Sequence, residues 1–353
     1  MPVVPTDRSL RPLPSQPSDV PWPTDAWPVG EPPDGVRGVV DEMFDDVERY
    51  GTTYAVVVVQ GGRLLLERYG GELPHFDRPP EPVEPDTPLL SWSMAKSVLH
   101  AAVGVLVGEG RLALDAPPGV PGWTDERAAI TLDELLQMRD GLRWAEDYVD
   151  ARVSDVIEML FGSGHDDVAA YAEARPLAHP PGTVFNYSSG TSNIVAATLG
   201  RVVGSGAARD FVLDRVLHPI GMRSADPRLD AAGTLVGSSY VYATAQDWAR
   251  FGTLHLRDGV WDGQRILPAG WVDHGRLVRS EDPTDGSLYG AHWWIDQLDL
   301  DRGTFRASGY EGQAVAICPA LDAVAVRLGK TPEPQPTPAH LPIWRKRLLD
   351  ALS

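Results

Sequence analysis

Patterns typical of β-strands occur near both ends of this 353-residue chain and are nearly absent from its middle. Near the N-terminus, two apolar runs flank Gly61-Gly62, which indicates a hairpin because a two-residue turn needs positive φ at both positions. Four later strands, joined by short Gly/Pro/Asp turns, are predicted over 288–295, 304–308, 313–318 and 323–328. The simplest fold for such a chain pairs both ends in one antiparallel sheet covered by helices.

Between these regions the sequence has mostly helical periodicity. Earlier helices are predicted over 34–50, where apolar residues recur at helical spacing, and over 94–108, which is apolar nearly all round. Further helices are predicted over 154–160, 166–174, 191–203, 206–217, 244–257, 268–279 and 338–351. The sequence therefore predicts an α+β protein with a sheet domain (33–92 and 284–353) and a mostly helical domain (93–283).

Two segments are predicted to lack regular structure. Residues 1–32 are rich in Pro, Ser and Asp, so we expect an extended arm that lies on the surface or is disordered. Residues 71–90 are Pro-rich and predict a long loop. The sequence has no internal repeat of fixed period, which argues against a repeat architecture.

The charge balance and the cysteine count exclude several function classes. A formal net charge of −18 and a pI of about 4.8 repel nucleic acid phosphates and anionic membranes. We expect the acidity to serve solubility, with a specific cationic partner as the alternative. The single cysteine, Cys318, fits a buried strand position and excludes an intramolecular disulfide and a cysteine-based zinc cluster. We expect no metal and no cofactor.

The sequence has no recognisable targeting segment. Its N-terminus lacks the apolar stretch of a secretory signal, and no run of about 18 apolar residues is present that would span a membrane. A cytoplasmic location is the expectation, with a chain whose signal has been removed as the alternative.

The segment SWSMAKSVL contains the clearest chemical signal, Ser93 and Lys96. Residues three apart on a helix share a face, so the serine hydroxyl and the lysine amine can meet. A serine needs a base to take its proton, and a lysine is a base near pH 7 only where burial lowers its pKa. The apolar neighbours of Lys96 provide such surroundings. Such a pair also arises by chance, and an N-capping serine beside a surface lysine is then the alternative.

Two further motifs follow in order, Tyr187-Ser188-Ser189 in PGTVFNYSSGTSNIVAATLG and Ser308-Gly309 in FRASGYEGQAVAI. Ser-x-x-Lys, then Tyr-Ser-Asn or Tyr-x-Ser, then a Lys-Thr-Gly variant is the signature of serine β-lactamases and penicillin-binding proteins. The chain resembles their class C-like branch, which includes esterases and 6-aminohexanoate-dimer hydrolases. The resemblance covers about residues 35 to 330 and includes the phrases ITLDELLQMRDGLRWAEDY, ATAQDWARFGTLHLRDG and WDGQRILPAGW.

The resemblance implies a β-lactamase/transpeptidase-like fold with the active site between its two domains. It also implies that Ser93 is the acylated nucleophile, Lys96 the base, and Tyr187 the group that carries the proton to and from the leaving group. For this role, Lys96 is expected to favour the ionised form of the Tyr187 phenol. The oxyanion hole is expected to consist of the backbone N–H groups of Ser93 and Tyr310.

Four residues are expected to bind the substrate: Tyr148, Ser189, Ser308 and Gly309. Gly309 allows the backbone to approach the substrate closely. Tyr148 belongs to a loop expected to overhang the site, with an ordinary surface tyrosine as the alternative. Of the neighbours Trp293 and Trp294, alternation along a strand allows only one to face the site.

Two departures from the family pattern bear on the substrate. Ala307 stands where the third motif usually has a basic residue, which holds the substrate carboxylate in β-lactamases and peptidoglycan peptidases. The adjacent Arg306 is expected to face the opposite side of the strand, so a β-lactam or D-alanyl-D-alanine substrate is not favoured. Ser189 replaces the commoner Asn and still donates a hydrogen bond, so we expect altered selectivity rather than lost catalysis.

The sequence favours a serine hydrolase that forms an acyl-enzyme with a small ester or amide, most of all a carboxylesterase. A linear or cyclic amide hydrolase of the 6-aminohexanoate-dimer type, a weak β-lactamase and a D-alanyl-D-alanine peptidase are the alternatives. So is a non-catalytic ligand-binding homologue, because a fold does not determine a function. A Gly-x-Ser-x-Gly elbow and metal-ligand spacing are both missing, which argues against a Ser-His-Asp hydrolase and a metal hydrolase. The expected partner is a small molecule, not nucleic acid or a membrane, and the oligomeric state is open.

Overall fold

The computed structural model describes residues 10–75, 77–204, 206–331 and 340–353. Its strands are β1 (Thr52–Gln60), β2 (Arg63–Tyr69), β3 (Glu72–Leu73), β4 (Glu81–Pro82), β5 (Leu89–Leu90), β6 (Asp226–Pro227), β7 (Val241–Ala243), β8 (Val260–Trp261), β9 (Gln264–Arg265), β10 (Ser280–Glu281), β11 (Leu288–Tyr289), β12 (Trp294–Ile295), β13 (Phe305–Gly309), β14 (Gln313–Cys318) and β15 (Ala323–Lys330). Its helices are α1 (Val36–Asp45), α2 (Val47–Tyr50), α3 (Ala95–Gly108), α4 (Leu132–Leu136), α5 (Asp155–Phe161), α6 (Val168–Glu173), α7 (Ser189–Val203), α8 (Ala208–Val212), α9 (Ala245–Leu256), α10 (Trp271–Arg276) and α11 (His340–Ala351).

The main sheet joins the two ends of the chain, which confirms the predicted architecture. Eight antiparallel strands lie in the order β10-β11-β12-β13-β14-β15-β1-β2. The early hairpin turns at Gly61 and Gly62, which both have positive φ. Its first strand pairs along its length with β15, the last strand of the late meander. The sheet is therefore complete only when strands from both ends of the chain meet.

Helices cover both faces of this sheet. Because side chains alternate along a strand, Val57 and Val59 pack in the core with α3 and α9, and Val56 and Val58 pack with α1 and α11. In the middle of the chain, the short helices α4, α5, α6 and α8 pack around the longer helix α7, which also contacts α3. Among the described residues, no helix combines the length and the apolar character that crossing a membrane requires. The boundaries proposed for the two domains stay a prediction.

Three predicted elements differ in detail. The helix expected over 34–50 is two helices, because the chain leaves the helical conformation at Asp46, whose side chain caps α2. The expected loop 71–90 contains the short strands β3, β4 and β5. The expected last helix begins at His340, and residues 338 and 339 of that prediction lie outside the described residues.

The run 288–295, expected to be one strand, is divided into β11 and β12 by a turn. Gly290 lies so close to the carbonyl oxygen of Gly275 that a Cβ atom would clash with it. His292 has a φ of 55°, and its N–H donates to the carbonyl of Leu136. The continuous strand was therefore wrong, because tertiary contacts bend the chain inward at this point and bring His292 next to α3.

The arm lies on the surface in its described part, 10–32, and residues 1–9 lie outside the described residues. Several of its contacts lie at the end of the sheet where β1 turns into β2, whereas Arg11 contacts Asp301 and Arg276. Gly30 donates to the carbonyl of Leu64, the Arg250 guanidinium donates to the carbonyl of Pro23, and Trp27 is buried. The C-terminal ends of β13 and β15 lie at the opposite end of the sheet. Trp27 and Gly30 of the arm therefore lie at the end of the sheet opposite to the motif residues.

Candidate active site

Ser93 lies in a short 3-10 turn, Trp92–Met94, that leads directly into α3. Its side chain is 8% exposed, whereas that of Lys96, one turn further on, is 1% exposed. The Lys96 Nζ atom is 3.1 Å from Ser93 Oγ, so the i, i+3 spacing brings the two groups together. The serine also lies at the N-terminal, positive end of a 14-residue helix, which favours negative charge developing there.

Lys96 is surrounded by oxygen atoms in an otherwise apolar interior. Besides Ser93, its Nζ contacts Ser189 Oγ at 3.0 Å and the carbonyl oxygen of Ser238 at 3.1 Å. Burial lowers the pKa of Lys96 to about 8, although the Glu146 carboxylate acts in the opposite direction. A pKa near 8 leaves about a tenth of the lysine neutral at pH 7, so Lys96 can act as a base.

Tyr187 lies directly before Ser188, the N-cap of α7, and its ring centroid is 4.9 Å from Lys96 Nζ. The ring packs against Trp294 with centroids 5.2 Å apart. Burial and the Glu146 carboxylate raise the pKa of Tyr187 well above its usual range, and hydrogen bonds with Ser93 and Trp294 only partly offset this. We expected Lys96 to favour the phenolate, but the pKa of Tyr187 is raised instead of lowered. The protonated phenol beside Ser93 is suited to donate a proton to a leaving group.

Gly309 explains how β13 approaches the nucleophile. A Cβ atom at this position would clash with the carbonyl oxygen of Ser91 and lie 3.0 Å from Cβ of Trp92. Only glycine therefore allows β13 to pass so close to the turn that carries Ser93. Tyr310 follows at once, so its backbone lies beside this turn. The oxyanion hole formed by the N–H groups of Ser93 and Tyr310 stays a prediction.

The third motif carries no cation on the face that packs toward α3. Ala307 is buried in the core on that face. Arg306 and Ser308 share the other face, where Arg306 Nε donates to Ser308 Oγ at 3.0 Å and the guanidinium lies 3.9 Å from the Asp296 carboxylate. Arg306 therefore does not replace the missing basic residue at position 307, as strand alternation predicts. Substrate binding by Ser308 stays a prediction.

Aromatic rings surround the opening above Ser93. Tyr148 stacks on Tyr310 with centroids 4.4 Å apart, and both rings meet the edge or face of Trp92 at 6.1 and 5.5 Å. The loop with Tyr148 thus reaches the nucleophile turn. Trp294 contacts Tyr187, whereas Trp293 is buried against Phe251, which confirms that only one of the two tryptophans faces the site.

Two polar residues of this site were not recognised from the sequence. Glu146 accepts hydrogen bonds from the Ser189 hydroxyl at 2.6 Å and from the Ser189 N–H at 2.9 Å. His292 Nδ1 lies 3.1 Å from the carbonyl oxygen of Lys96. Glu146 stands only two residues before Tyr148, but no motif marks it, and its partner is 43 residues away in the chain. The positive φ of His292 was likewise not predicted, because the pattern of residues 288–295 is typical of a continuous strand.

Ser189, expected at the substrate surface, is fully buried, and its hydroxyl has Lys96 and Glu146 as partners. Its contact with a substrate stays a prediction.

Within the described part of the chain, no group of three or more His, Cys, Asp or Glu side chains could hold a metal ion. The chemistry that the arrangement allows is nucleophilic attack by a serine with a lysine base and a tyrosine acid.

The fold and the order of the motifs define a protein of the serine β-lactamase and penicillin-binding-protein superfamily. The chain belongs to the Beta-lactamase family, whose model matches residues 40–348. This confirms the resemblance and the fold class predicted from the sequence. The match begins after the arm and includes all three motifs.

Relatives and solved structures extend the comparison. The chain is 27% identical over 303 residues to a 6-aminohexanoate-dimer hydrolase of Paenarthrobacter ureafaciens, covering 80% of this chain and 74% of that protein. It is 26% identical over 316 residues to esterase EstB of Burkholderia gladioli, covering 83% and 71%. A penicillin-binding protein from Bacillus halodurans has the same fold, with a TM-score of 0.68, 18% identity and coverage of 89% and 99%. The family accordingly identifies a serine hydrolase without naming its substrate.

Proposed function

We propose that this protein hydrolyses a small ester through an acyl-enzyme on Ser93 and is a carboxylesterase. The observation that carries the proposal is the 3.1 Å contact between Ser93 Oγ and the amine of Lys96, whose pKa burial lowers to about 8. A buried lysine with a partly neutral amine beside a serine hydroxyl is an activated nucleophile. A surface lysine beside an N-capping serine would have neither the burial nor the three oxygen partners.

The proposed reaction has two halves. Neutral Lys96 takes the proton of Ser93 while Ser93 Oγ attacks the carbonyl carbon, and the N–H groups of Ser93 and Tyr310 stabilise the oxyanion. Tyr187 gives its proton to the leaving alcohol as the ester bond breaks, and it recovers a proton from the Lys96 ammonium. In the second half, water attacks the acyl carbon and gives a proton to Lys96 or Tyr187. The bond between the acyl carbon and Ser93 Oγ then breaks, Oγ receives that proton, and the acid is released.

The choice of an ester rests on the leaving group and on the third motif. An amide nitrogen must be protonated to leave, which demands a more exact position of Tyr187 than an alcohol does. The uncharged Ala307 gives no support to a substrate carboxylate, which disfavours β-lactams and D-alanyl-D-alanine peptides. The relatives include both an esterase and an amide hydrolase of the 6-aminohexanoate-dimer type. An amide hydrolase is therefore the second candidate, favoured by the position of Tyr148 over the nucleophile turn.

The test is intact-protein mass spectrometry after incubation with a fluorophosphonate. Wild type should gain one adduct, Ser93→Ala none, and Ser163→Ala, which changes an exposed serine, one. Wild type that has not been exposed to the fluorophosphonate is then assayed with p-nitrophenyl esters, small linear amides and a chromogenic β-lactam. Turnover of amides but not esters would replace the carboxylesterase by the amide hydrolase. No adduct on folded wild type would leave the non-catalytic ligand-binding protein.

The remaining expectations belong to this proposal. We expect a small-molecule substrate, and the acidic charge argues against a nucleic acid partner and an anionic membrane. The cytoplasmic location stays a prediction, checked by fractionating cells that express the chain. An active protein in a secreted fraction would contradict it.

A further inference from the structure

We propose that Glu146 is a positioning residue that acts through Ser189 to aim the free electron pair of neutral Lys96 at the Ser93 hydroxyl. The inference rests on the proposed function, because it explains how the base of that reaction is oriented. It concerns a contact that no sequence motif contains, between the loop before Tyr148 and the first residue of α7.

The Glu146 carboxylate is held by hydrogen-bond donors on both oxygens. Oε1 accepts from the Ser189 hydroxyl at 2.6 Å and from the Tyr148 hydroxyl at 3.3 Å. Oε2 accepts from the Trp144 indole N–H at 2.6 Å and from the Ser189 N–H at 2.9 Å. The last donor belongs to the first turn of α7, where the helix dipole favours a negative charge. This set of donors suits an ionised, acceptor-only carboxylate.

The acceptor-only carboxylate determines the direction of the Ser189 hydroxyl. A serine has one O–H to donate and two lone pairs that accept. Its shortest contact is the 2.6 Å one to Glu146, and a hydrogen bond to a carboxylate is stronger than one between neutral groups. The O–H therefore points to Glu146, and the oxygen lone pairs remain for Lys96 Nζ at 3.0 Å.

The same counting can be continued at Lys96. A neutral amine has two N–H donors and one electron pair. The carbonyl oxygen of Ser238 can only accept, so it takes one N–H at 3.1 Å. Ser189, whose own proton is directed to Glu146, takes the second. The electron pair is left for the third neighbour, Ser93 Oγ at 3.1 Å, which is the atom whose proton must be removed.

The charge of Glu146 works against this benefit, which makes the inference testable. The carboxylate raises the pKa of Lys96 and so reduces the neutral fraction. If Glu146 acted only by its charge, an uncharged amide there would make Lys96 a more abundant base. If it acts by orienting Ser189, the amide must slow the reaction although the base is more abundant, because its NH2 group can donate to Ser189 and reverse that hydrogen bond.

The experiment is a double-mutant cycle of Glu146→Gln and Ser189→Ala, with Glu126→Gln as a matched control at an exposed glutamate. The kinetics of p-nitrophenyl ester hydrolysis are measured from pH 6 to 10. Each variant of the cycle should lose about tenfold in kcat, which corresponds to one misdirected hydrogen bond, with KM changed less than twofold. The double variant should be no slower than Ser189→Ala alone, because Glu146 acts through Ser189. The rising limb of the Glu146→Gln profile should move to lower pH.

Unchanged or increased kcat in Glu146→Gln, or losses that add in the double variant, would overturn the proposal. If Glu146→Gln does not fold, the kinetics of Ser189→Ala test the proposal alone, because an unchanged kcat in that variant also overturns the proposal.

A measurement independent of turnover is NMR of 13Cε-labelled lysine, since the chain has only Lys96, Lys330 and Lys346. Glu146→Gln must lower the pKa of Lys96 and leave the other two in place. If the wild type is inactive although Glu146→Gln lowers the pKa of Lys96, the proposed function is contradicted. If the wild type is active but Glu146→Gln leaves the pKa of Lys96 unchanged, the link between Glu146 and Lys96 is contradicted.

Discussion

The two ends of the main sheet carry the same kind of backbone strain on different residues. At the end where the arm packs, the non-glycine residues with positive φ are Asp258, Asp262 and Asp322, all in turns. At the end with the candidate site, they are Trp92 beside the nucleophile, Glu311 beside Tyr310, and Met138, which packs in a cluster with Tyr187 and Trp294. His292, against the Lys96 carbonyl, joins this second group.

This difference shows where stability has been exchanged for geometry. Asp adopts positive φ at low cost, so the turns at the arm end are ordinary connections. Trp, Glu and Met in such conformations cost roughly 1–3 kcal/mol each and persist only where their surroundings hold them. The indole of Trp92 donates to the Glu311 carboxylate at 3.2 Å, which links two strained residues across the opening of the site. The strain at this end thus accompanies side chains that shape the site.

Lys96→Met should have the largest effect at the site end. Turnover should fall by about a thousandfold or more, because no other base contacts Ser93. Since the folded pKa lies near 8 and the unfolded one near 10.5, the unfolded state binds more protons between these values. Wild-type stability should therefore rise with pH across this window, and the variant should lack that rise and be more stable at pH 7 by roughly 3 kcal/mol. Urea unfolding at pH 7.5 and 9.5 measures this, and a less stable variant would contradict it.

Gly309→Ala should lose about a hundredfold in kcat/KM, because the added Cβ would push β13 away from the nucleophile turn by about 1 Å. The control is Gly200→Ala in α7, where an added Cβ meets nothing within 4 Å. Steady-state kinetics of both variants decide the matter. Near wild-type activity in Gly309→Ala would mean that this close approach does not shape the oxyanion hole.

The pH profile of wild type should rise about tenfold per pH unit below an apparent pKa near 8 and level off above it. That value is the pKa of Lys96, because the Tyr187 phenol, whose pKa burial raises well above its usual range, stays protonated over this pH range. The measurement is kcat/KM for a p-nitrophenyl ester, corrected for spontaneous hydrolysis. A flat profile between about pH 5 and 9 would exclude Lys96 as the base.

Trp27→Ala tests the end of the sheet where the arm packs, where we expect an effect on stability and none on activity. The indole is buried and lies 5.6 Å from the Arg250 guanidinium, so its loss should reduce the free energy of unfolding by about 3–5 kcal/mol. The kinetics at 25 °C should not change, because the arm lies at the other end of the sheet. Val29→Ala, at a largely exposed position of the arm, is the control. A fall in kcat without a fall in stability would show that the arm acts on the site.

Asp262→Gly should have the smallest effect. The exposed Asp262 has a φ of 47° in the turn between β8 and β9. Glycine relieves this backbone strain but also raises the conformational entropy of the unfolded chain, so the two effects on stability oppose each other. The free energy of unfolding should stay within about 0.5 kcal/mol of wild type, with full activity. Trp92→Gly relieves the same kind of strain and should lose at least about tenfold in activity, because it removes contacts with Tyr148 and Tyr310. Equal behaviour of the two variants would remove the contrast between the ends.

The sequence predicts this protein well where the information is local. The i, i+3 relation of Ser93 and Lys96, the glycine pair of the first hairpin and the apolar α3 are all properties of neighbouring residues. Strand alternation also correctly separates Ala307 from Arg306. The family match then confirms the fold and the superfamily.

Where the prediction falls short, distant segments determine the outcome. Glu146 becomes part of the site only because its loop folds onto the first turn of α7, and a charged residue in a loop gives no sign of this. The break between β11 and β12 depends on contacts of Gly290 and His292 with Gly275 and Leu136. Likewise, the environment of Tyr187 follows from burial and from Glu146, neither of which the motif reveals.

The pairing of β1 with β15 has a consequence for synthesis of the protein. Thr52 pairs with Lys330, 278 residues further along the chain, so this strand pair cannot form completely until residue 330 has left the ribosome. Contacts of such high sequence separation fold slowly, because loop-closure entropy is lost before the contacts form. The nucleophile turn emerges early, but its partner β13 emerges late. A nascent or truncated chain that ends before β13 therefore carries Ser93 without the strand that packs against its turn, and the candidate site is incomplete.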